Sequence, residues 1–148
     1  MTTAARSQLI LPDQATQPLL READPRRIRT VVVDDSPDFL EITCDLLGLN
    51  PLLDVVARAE KGSAAMEAVL KYDPDLVLMD VHMPYLDGLT IASFFTGRFP
   101  AIRVVLMSSE DTPELRSACK SSGAVAFVYK PNFRQEFDAV LQGICLES

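Results

Sequence analysis

Five short apolar runs, each followed by a helix-forming stretch and four of them ending in polar side chains, restrict this chain more than any other feature. Thr30-Val31-Val32-Val33 is β-branched and runs into Asp34-Asp35. Leu76-Val77-Leu78-Met79 runs into Asp80, Ile102–Met107 into Ser108-Ser109, and Ala124–Tyr129 into Lys130-Pro131. A weaker run, Leu52–Ala57, carries Val55-Val56. Continuous apolar runs of this length suit strands buried on both faces. Strands alternating with helices form a parallel sheet covered on both sides.

The intervening stretches carry helix signals. Ser36-Pro37-Asp38 offers a capping Ser, Pro at the first helical position and an acid in the first turn. Phe39, Leu40, Ile42, Leu46 and Leu47 are expected to form that helix's apolar stripe, ended by Gly48-Leu49-Asn50-Pro51. Residues 62–72 predict a second helix with Ala65, Met66, Val69 and Leu70 on one side, stopped by Asp73-Pro74. A loop containing Asp87-Gly88 leads to a third helix ending near Phe99, and a fourth starts at Thr112 or Pro113. The last helix carries Phe133, Phe137, Val140, Leu141 and Ile144. Residues 1–28, interrupted by Pro12, Pro18 and Pro25, are expected to be a flexible tail, with one domain over 29–148.

The net charge of −7 is unevenly spread. Residues 1–29 hold five arginines against three acids, whereas the remaining 119 hold nine basic and eighteen acidic residues. So acidic a domain argues against direct nucleic-acid binding, which needs a basic face. No apolar run is long enough to span a bilayer, and Leu9-Ile10-Leu11 is too short for a signal-peptide core. Cys44, Cys119 and Cys145 show no paired spacing, and the single His82 leaves no His-pair metal site. Cys44 is expected in the core, while Cys119 and Cys145 could be exposed. A cytoplasmic, disulfide-free protein is expected.

Parallel sheets bind ligands beyond the carboxyl ends of their strands. There the sequence puts Asp34, Asp35, Asp80, Ser108 and Lys130. Three convergent carboxylates repel one another unless a cation offsets them, and oxygen ligands without His or Cys suit Mg²⁺ or Mn²⁺. A Lys and a hydroxyl beside such a metal make a phosphoryl clamp, and a carboxylate can accept the group as an acyl phosphate. Taken singly, each residue has a plainer role: the acid pair at a helix N-terminus, Asp80 and Ser108 in turns, Lys130 in solvent.

Val31–Ser36, Asp75–Gly88, Val104–Ser109 and Phe127–Pro131, in that order and spacing, make residues 29 to about 146 resemble the receiver domain of bacterial two-component response regulators. The resemblance implies a flavodoxin-like (βα)5 fold, a doubly wound five-stranded parallel sheet of order 2-1-3-4-5. It implies Asp80 as phosphoacceptor, Lys130 as phosphate contact, Ser108 as switch hydroxyl and Phe127 as switch aromatic. Asp34, Asp35, Asp80 and the backbone carbonyl of His82 would bind Mg²⁺, and Pro131 would follow a cis bond. His82 and Glu110 hold positions that tune hydrolysis in such proteins.

The implied function is a signalling switch rather than an enzyme, with self-catalysed phosphotransfer and dephosphorylation only. Its partners would be a sensor histidine kinase or phosphotransfer protein, and a downstream protein or output domain. A phosphorylation-dependent homodimer would also fit, as would either a stand-alone receiver or a piece of a longer regulator. One rival is a Mg²⁺-dependent phosphatase, which would need an acid where His82 stands. The other is an interaction module that is never phosphorylated.

Overall fold

Each strand sends alternate side chains to opposite faces, and here both faces are buried. Val31, Val33, Val77, Met79, Val104 and Leu106 join one core; Val32, Leu76, Leu78, Val105 and Met107 join the other. The structure, a computed structural model, describes residues 27–147. The expected tail lies, through residue 26, outside the described residues.

Five strands, β1 (Ile28–Val33), β2 (Leu53–Ala59), β3 (Leu76–Asp80), β4 (Arg103–Ser108) and β5 (Ala126–Tyr129), pair in parallel in the order β2-β1-β3-β4-β5. The helices are α1 (Pro37–Gly48), α2 (Gly62–Tyr72), α3 (Gly88–Arg98), α4 (Pro113–Ser121) and α5 (Phe133–Glu147). Leu40, Cys44 and Leu47 of α1 pack on one face with Phe133, Phe137, Leu141 and Ile144 of α5. Ala65, Ala68 and Val69 of α2, Ile91, Ala92 and Phe95 of α3, and Cys119 of α4 cover the other. The expected flavodoxin-like, doubly wound fold and its strand order are both observed.

Polar residues start the helices as their types dictate. The Ser36 hydroxyl accepts from Phe39 N–H at 3.3 Å, with Pro37 opening α1. Asp87 accepts from Thr90 N–H at 2.8 Å to start α3, and Thr112 accepts from Leu115 N–H at 3.0 Å to start α4.

Several local expectations need correcting. Ile42 is 56% exposed, because it lies two residues, about 200° of helix turn, from the inward Leu40. Leu70 is 72% exposed, since Ala65, Ala68 and Val69 already fill the inward side of α2. Cys119 is buried at the sheet-facing side of α4, whereas Cys145 is exposed. β1 starts at Ile28, whose N–H donates to Leu52 O at 2.7 Å; β2 runs to Ala59, and β5 starts only at Ala126. Pro131 does not follow a cis bond: no cis peptide occurs among the described residues. It opens a 3₁₀ turn over Lys130–Asn132, a place that the fixed φ of proline suits.

Candidate functional site

Register gathers the polar strand ends. Val33 pairs with Met79, so Asp34 and Asp80 follow at one level on adjacent strands. Asp80 pairs with Met107, and Ser108 with Tyr129, which brings Ser108 and Lys130 to the same edge. Asp34, Asp80 and Ser108 are buried, Asp35 is exposed and Lys130 is half-buried.

Lys130 Nζ stands 2.8 Å from Asp34 Oδ2 and 3.3 Å from Asp80 Oδ2, and 4.5 Å from the centre of the Phe39 ring. Asp34 Oδ1 accepts from Ser36 N–H at 2.9 Å, and Asp80 Oδ1 from His82 N–H at 3.3 Å. The ammonium approaches Asp34 Oδ2 off the hydrogen-bonding direction, leaving this buried oxygen with an ion pair but no aligned donor. Burial pushes the Asp80 carboxyl up to about 6. Lys130 pulls against that rise, Asp34 adds to it, and the His82 N–H opposes it. Asp80 is therefore mostly ionised at neutral pH.

Carboxylate oxygens of Asp34, Asp35 and Asp80 all lie within 4.8 Å of one another. Opposite oxygens around Mg²⁺ stand about 4.2 Å apart, so the cluster suits such an ion directly or with one carboxylate reaching it through water. The all-oxygen donor set and the undonated Asp34 oxygen both favour a hard divalent cation.

The Ser108 hydroxyl accepts from Glu110 N–H at 3.0 Å, which turns the chain after β4. The imidazole of His82 is exposed and lies 3.6 Å from Glu110 Oε1 above the site. Phe127 is half-buried against the core beneath α4, farther along β5 from Lys130. The Arg116 guanidinium covers its ring at 4.8 Å and forks onto Asp111 at 2.6 and 2.9 Å.

Three supporting residues had no signal that separated them in the sequence. Arg116 was one of several charges on the fourth helix. Phe39 was one of several apolar residues on the first. Gly88 marked only a turn, but a Cβ there would collide with the carbonyl oxygen of Asp80, while its N–H donates to Val81 O at 2.8 Å. The loop between contains a tight turn at Tyr85, with φ +72° and Leu86 N–H donating to Pro84 O at 2.8 Å.

Comparison with known proteins bears on the family and the fold. Residues 30–142 match the family described as response regulator receiver domain. The chain is 29% identical over 123 residues to the transcriptional regulatory protein DegU of Brevibacillus brevis, covering 83% of this chain and 51% of DegU. It is 35% identical over 109 residues to a protein-glutamate methylesterase/protein-glutamine glutaminase of Oceanobacillus iheyensis, covering 72% of this chain and 31% of that protein. Among solved structures, the signal receiver domain of NarL from Mycobacterium tuberculosis superposes with a TM-score of 0.74 at 35% identity, over 80% of this chain and 96% of that one. The chain thus spans about half or less of these curated relatives' length.

Proposed function

The chain belongs to the response regulator receiver domain family, and on that premise we propose that Asp80 accepts a phosphoryl group from the phosphohistidine of a sensor histidine kinase or phosphotransfer protein. The observation that carries this reading is the Lys130 ammonium held between the carboxylates of Asp34 and Asp80. A cation so placed is freed to pair with a phosphoryl oxygen once Asp80 becomes an acyl phosphate.

An ionised Asp80 oxygen attacks phosphorus as the phosphorus–nitrogen bond breaks, and the departing imidazole takes up a proton. Asp34, Asp35, Asp80 and the backbone carbonyl of His82 would hold Mg²⁺, with Mn²⁺ as a substitute. Bound there, the ion would offset negative charge on the phosphoryl oxygens. Lys130 holds one phosphoryl oxygen, and Ser108, turning from Glu110 N–H, donates to another. Water later attacks the same phosphorus and restores the Asp80 carboxylate. The chemistry stays on this chain, with no free substrate turned over.

Phosphorylation adds roughly −2 charge where Lys130 and Ser108 can bind it. That differential contact favours an active arrangement in which Phe127 moves inward from beneath Arg116. Near-complete conversion needs on the order of 5 kcal/mol of preference. The altered α4–β5–α5 surface then acts on a downstream protein or an output domain, with a phosphorylated homodimer as one form of that output. The names of DegU and of the methylesterase indicate how different such outputs are. We place this switch in the cytoplasm, as membership of the receiver family suggests.

Intact mass after incubation with acetyl phosphate and Mg²⁺ tests the reading. One base-labile phosphoryl adduct is expected on the native chain, and none on Asp80→Asn or without Mg²⁺. No adduct on folded native protein, from acetyl phosphate or from histidine kinases, would overturn it.

A further inference from the structure

The described residues enter the sheet at Arg27 and Ile28, beside an apolar groove far from the carboxylate cluster. Ile28 N–H donates to Leu52 O at 2.7 Å, and the Arg27 guanidinium donates to Leu53 O. Leu52 lines one end of the groove together with Leu141 and Cys145 of α5. Through Asn50 and Asp138, shared by both halves, the groove continues to Leu49 at the end of α1 and to Phe137. Leu49 is 78% and Leu52 46% exposed. Neighbouring exposed leucines over an apolar floor mark a surface that gains by being covered.

We propose that Pro18-Leu19-Leu20, in the chain's own N-terminal segment, folds back into this groove. Two observations select this occupant. Leu20 lies seven residues before Arg27, a tether that reaches roughly 23–25 Å when extended. The stretch of α5 from Phe133 to Cys145 spans only about 18 Å, so the tether reaches the whole groove from its point of entry. Leu19-Leu20 is also the apolar pair nearest to that entry, and loop closure costs less for it than for Leu9-Ile10-Leu11. Tethering raises the local concentration of the occupant far above that of a free peptide.

Cys145 reports on the cover. It lines the groove and is exposed, Cys44 and Cys119 are buried, and residues 1–26 contain no cysteine. The experiment follows the reaction of Cys145 with DTNB in the full-length chain, without Mg²⁺ or phosphodonor. The double substitution Leu19→Asp/Leu20→Asp should speed it about fivefold, as when a cover occupied four-fifths of the time is lost. Leu49→Asp, on the groove side, should do the same, and combining all three should add little. Circular dichroism of each variant establishes that the fold is retained. Equal rates in the native chain and in Leu19→Asp/Leu20→Asp would overturn the proposal. So would acceleration by Ile10→Asp alone, which would assign the groove to the more distant segment. A native rate that falls as protein concentration rises, with no effect of the tail substitutions, would give the groove to a second copy and equally overturn it.

Discussion

Lys130 Nζ lies 2.8 Å from Asp34 Oδ2, although two strands, β3 and β4, separate the ends that carry these residues. The contact closes the carboxyl edge of the sheet across its width. It also leaves Asp34 and Asp80 sharing one cation, the arrangement on which the site's electrostatics depend.

Replacing that cation should show how much it offsets. Lys130→Met leaves two buried carboxylates without their counter-ion, and removing one partner of such a set is strongly destabilising. We expect a loss of roughly 2–4 kcal/mol at pH 7 in urea unfolding without metal. Adding Mg²⁺ should recover more stability in Lys130→Met than in the native chain, because no ammonium competes for the oxygens. Equal Mg²⁺ gains in the two proteins would count against a shared site.

The raised Asp80 carboxyl links stability to pH. Its value in the fold, about 6, exceeds its ordinary 3.8, so the folded chain holds this proton more tightly than the unfolded one. The contribution is full below about pH 4 and is lost as pH rises through 6. In EDTA, native stability relative to Asp80→Asn should therefore fall by roughly 2–3 kcal/mol from pH 4 to pH 7. Parallel curves for the two proteins would refute the shift. Phosphorylation by acetyl phosphate should show the opposite trend, rising with pH as the carboxylate forms.

Ser108→Ala removes the proposed switch hydroxyl but leaves Asp80 and Lys130 in place. The variant should still take up a phosphoryl group, with a smaller response around Phe127. Amide chemical shifts of residues 113–121 and 126–129, before and after phosphorylation, measure this. Shifts as large as those of the native chain would remove Ser108 from the switch.

Gly88→Ala should lower stability by about 2 kcal/mol or more, because the added Cβ meets the Asp80 backbone carbonyl rather than a flexible side chain. The phosphorylation rate should drop with it, since the collision falls on the acceptor's own peptide group. A melting temperature unchanged from native would show that the loop yields without cost.

Tyr85→Gly should act in the other direction. With φ +72° and a hydrogen bond between the residues flanking it, Tyr85 occupies a strained γ-turn, and its side chain is fully exposed. Relief of strain should stabilise the chain by up to about 1 kcal/mol, offset in part by the greater freedom of glycine when unfolded. Thermal unfolding compared with Tyr85→Ala, which keeps the strain, separates the two effects.

Strand and helix order was legible because it rests on local pattern. Apolar runs such as Val31–Val33 and Leu76–Met79 have few alternatives to a doubly covered strand, and Ser36-Pro37 announces a helix by its own chemistry. The strand ends also carried the candidate site, since parallel pairing brings Asp34, Asp80, Ser108 and Lys130 to one edge whatever the packing details. Apolar content alone misjudged Ile42 and Leu70, whose exposure follows from helix phase relative to the sheet.

By itself, then, the sequence determined the parallel α/β order and which polar residues meet at its edge, because period and local capping depend on near neighbours. Tertiary structure alone decided that Lys130 is shared between Asp34 and Asp80, that burial raises the Asp80 carboxyl, and that Arg116 covers Phe127. Each of these depends on distance and desolvation between residues far apart in the chain, which no local pattern records.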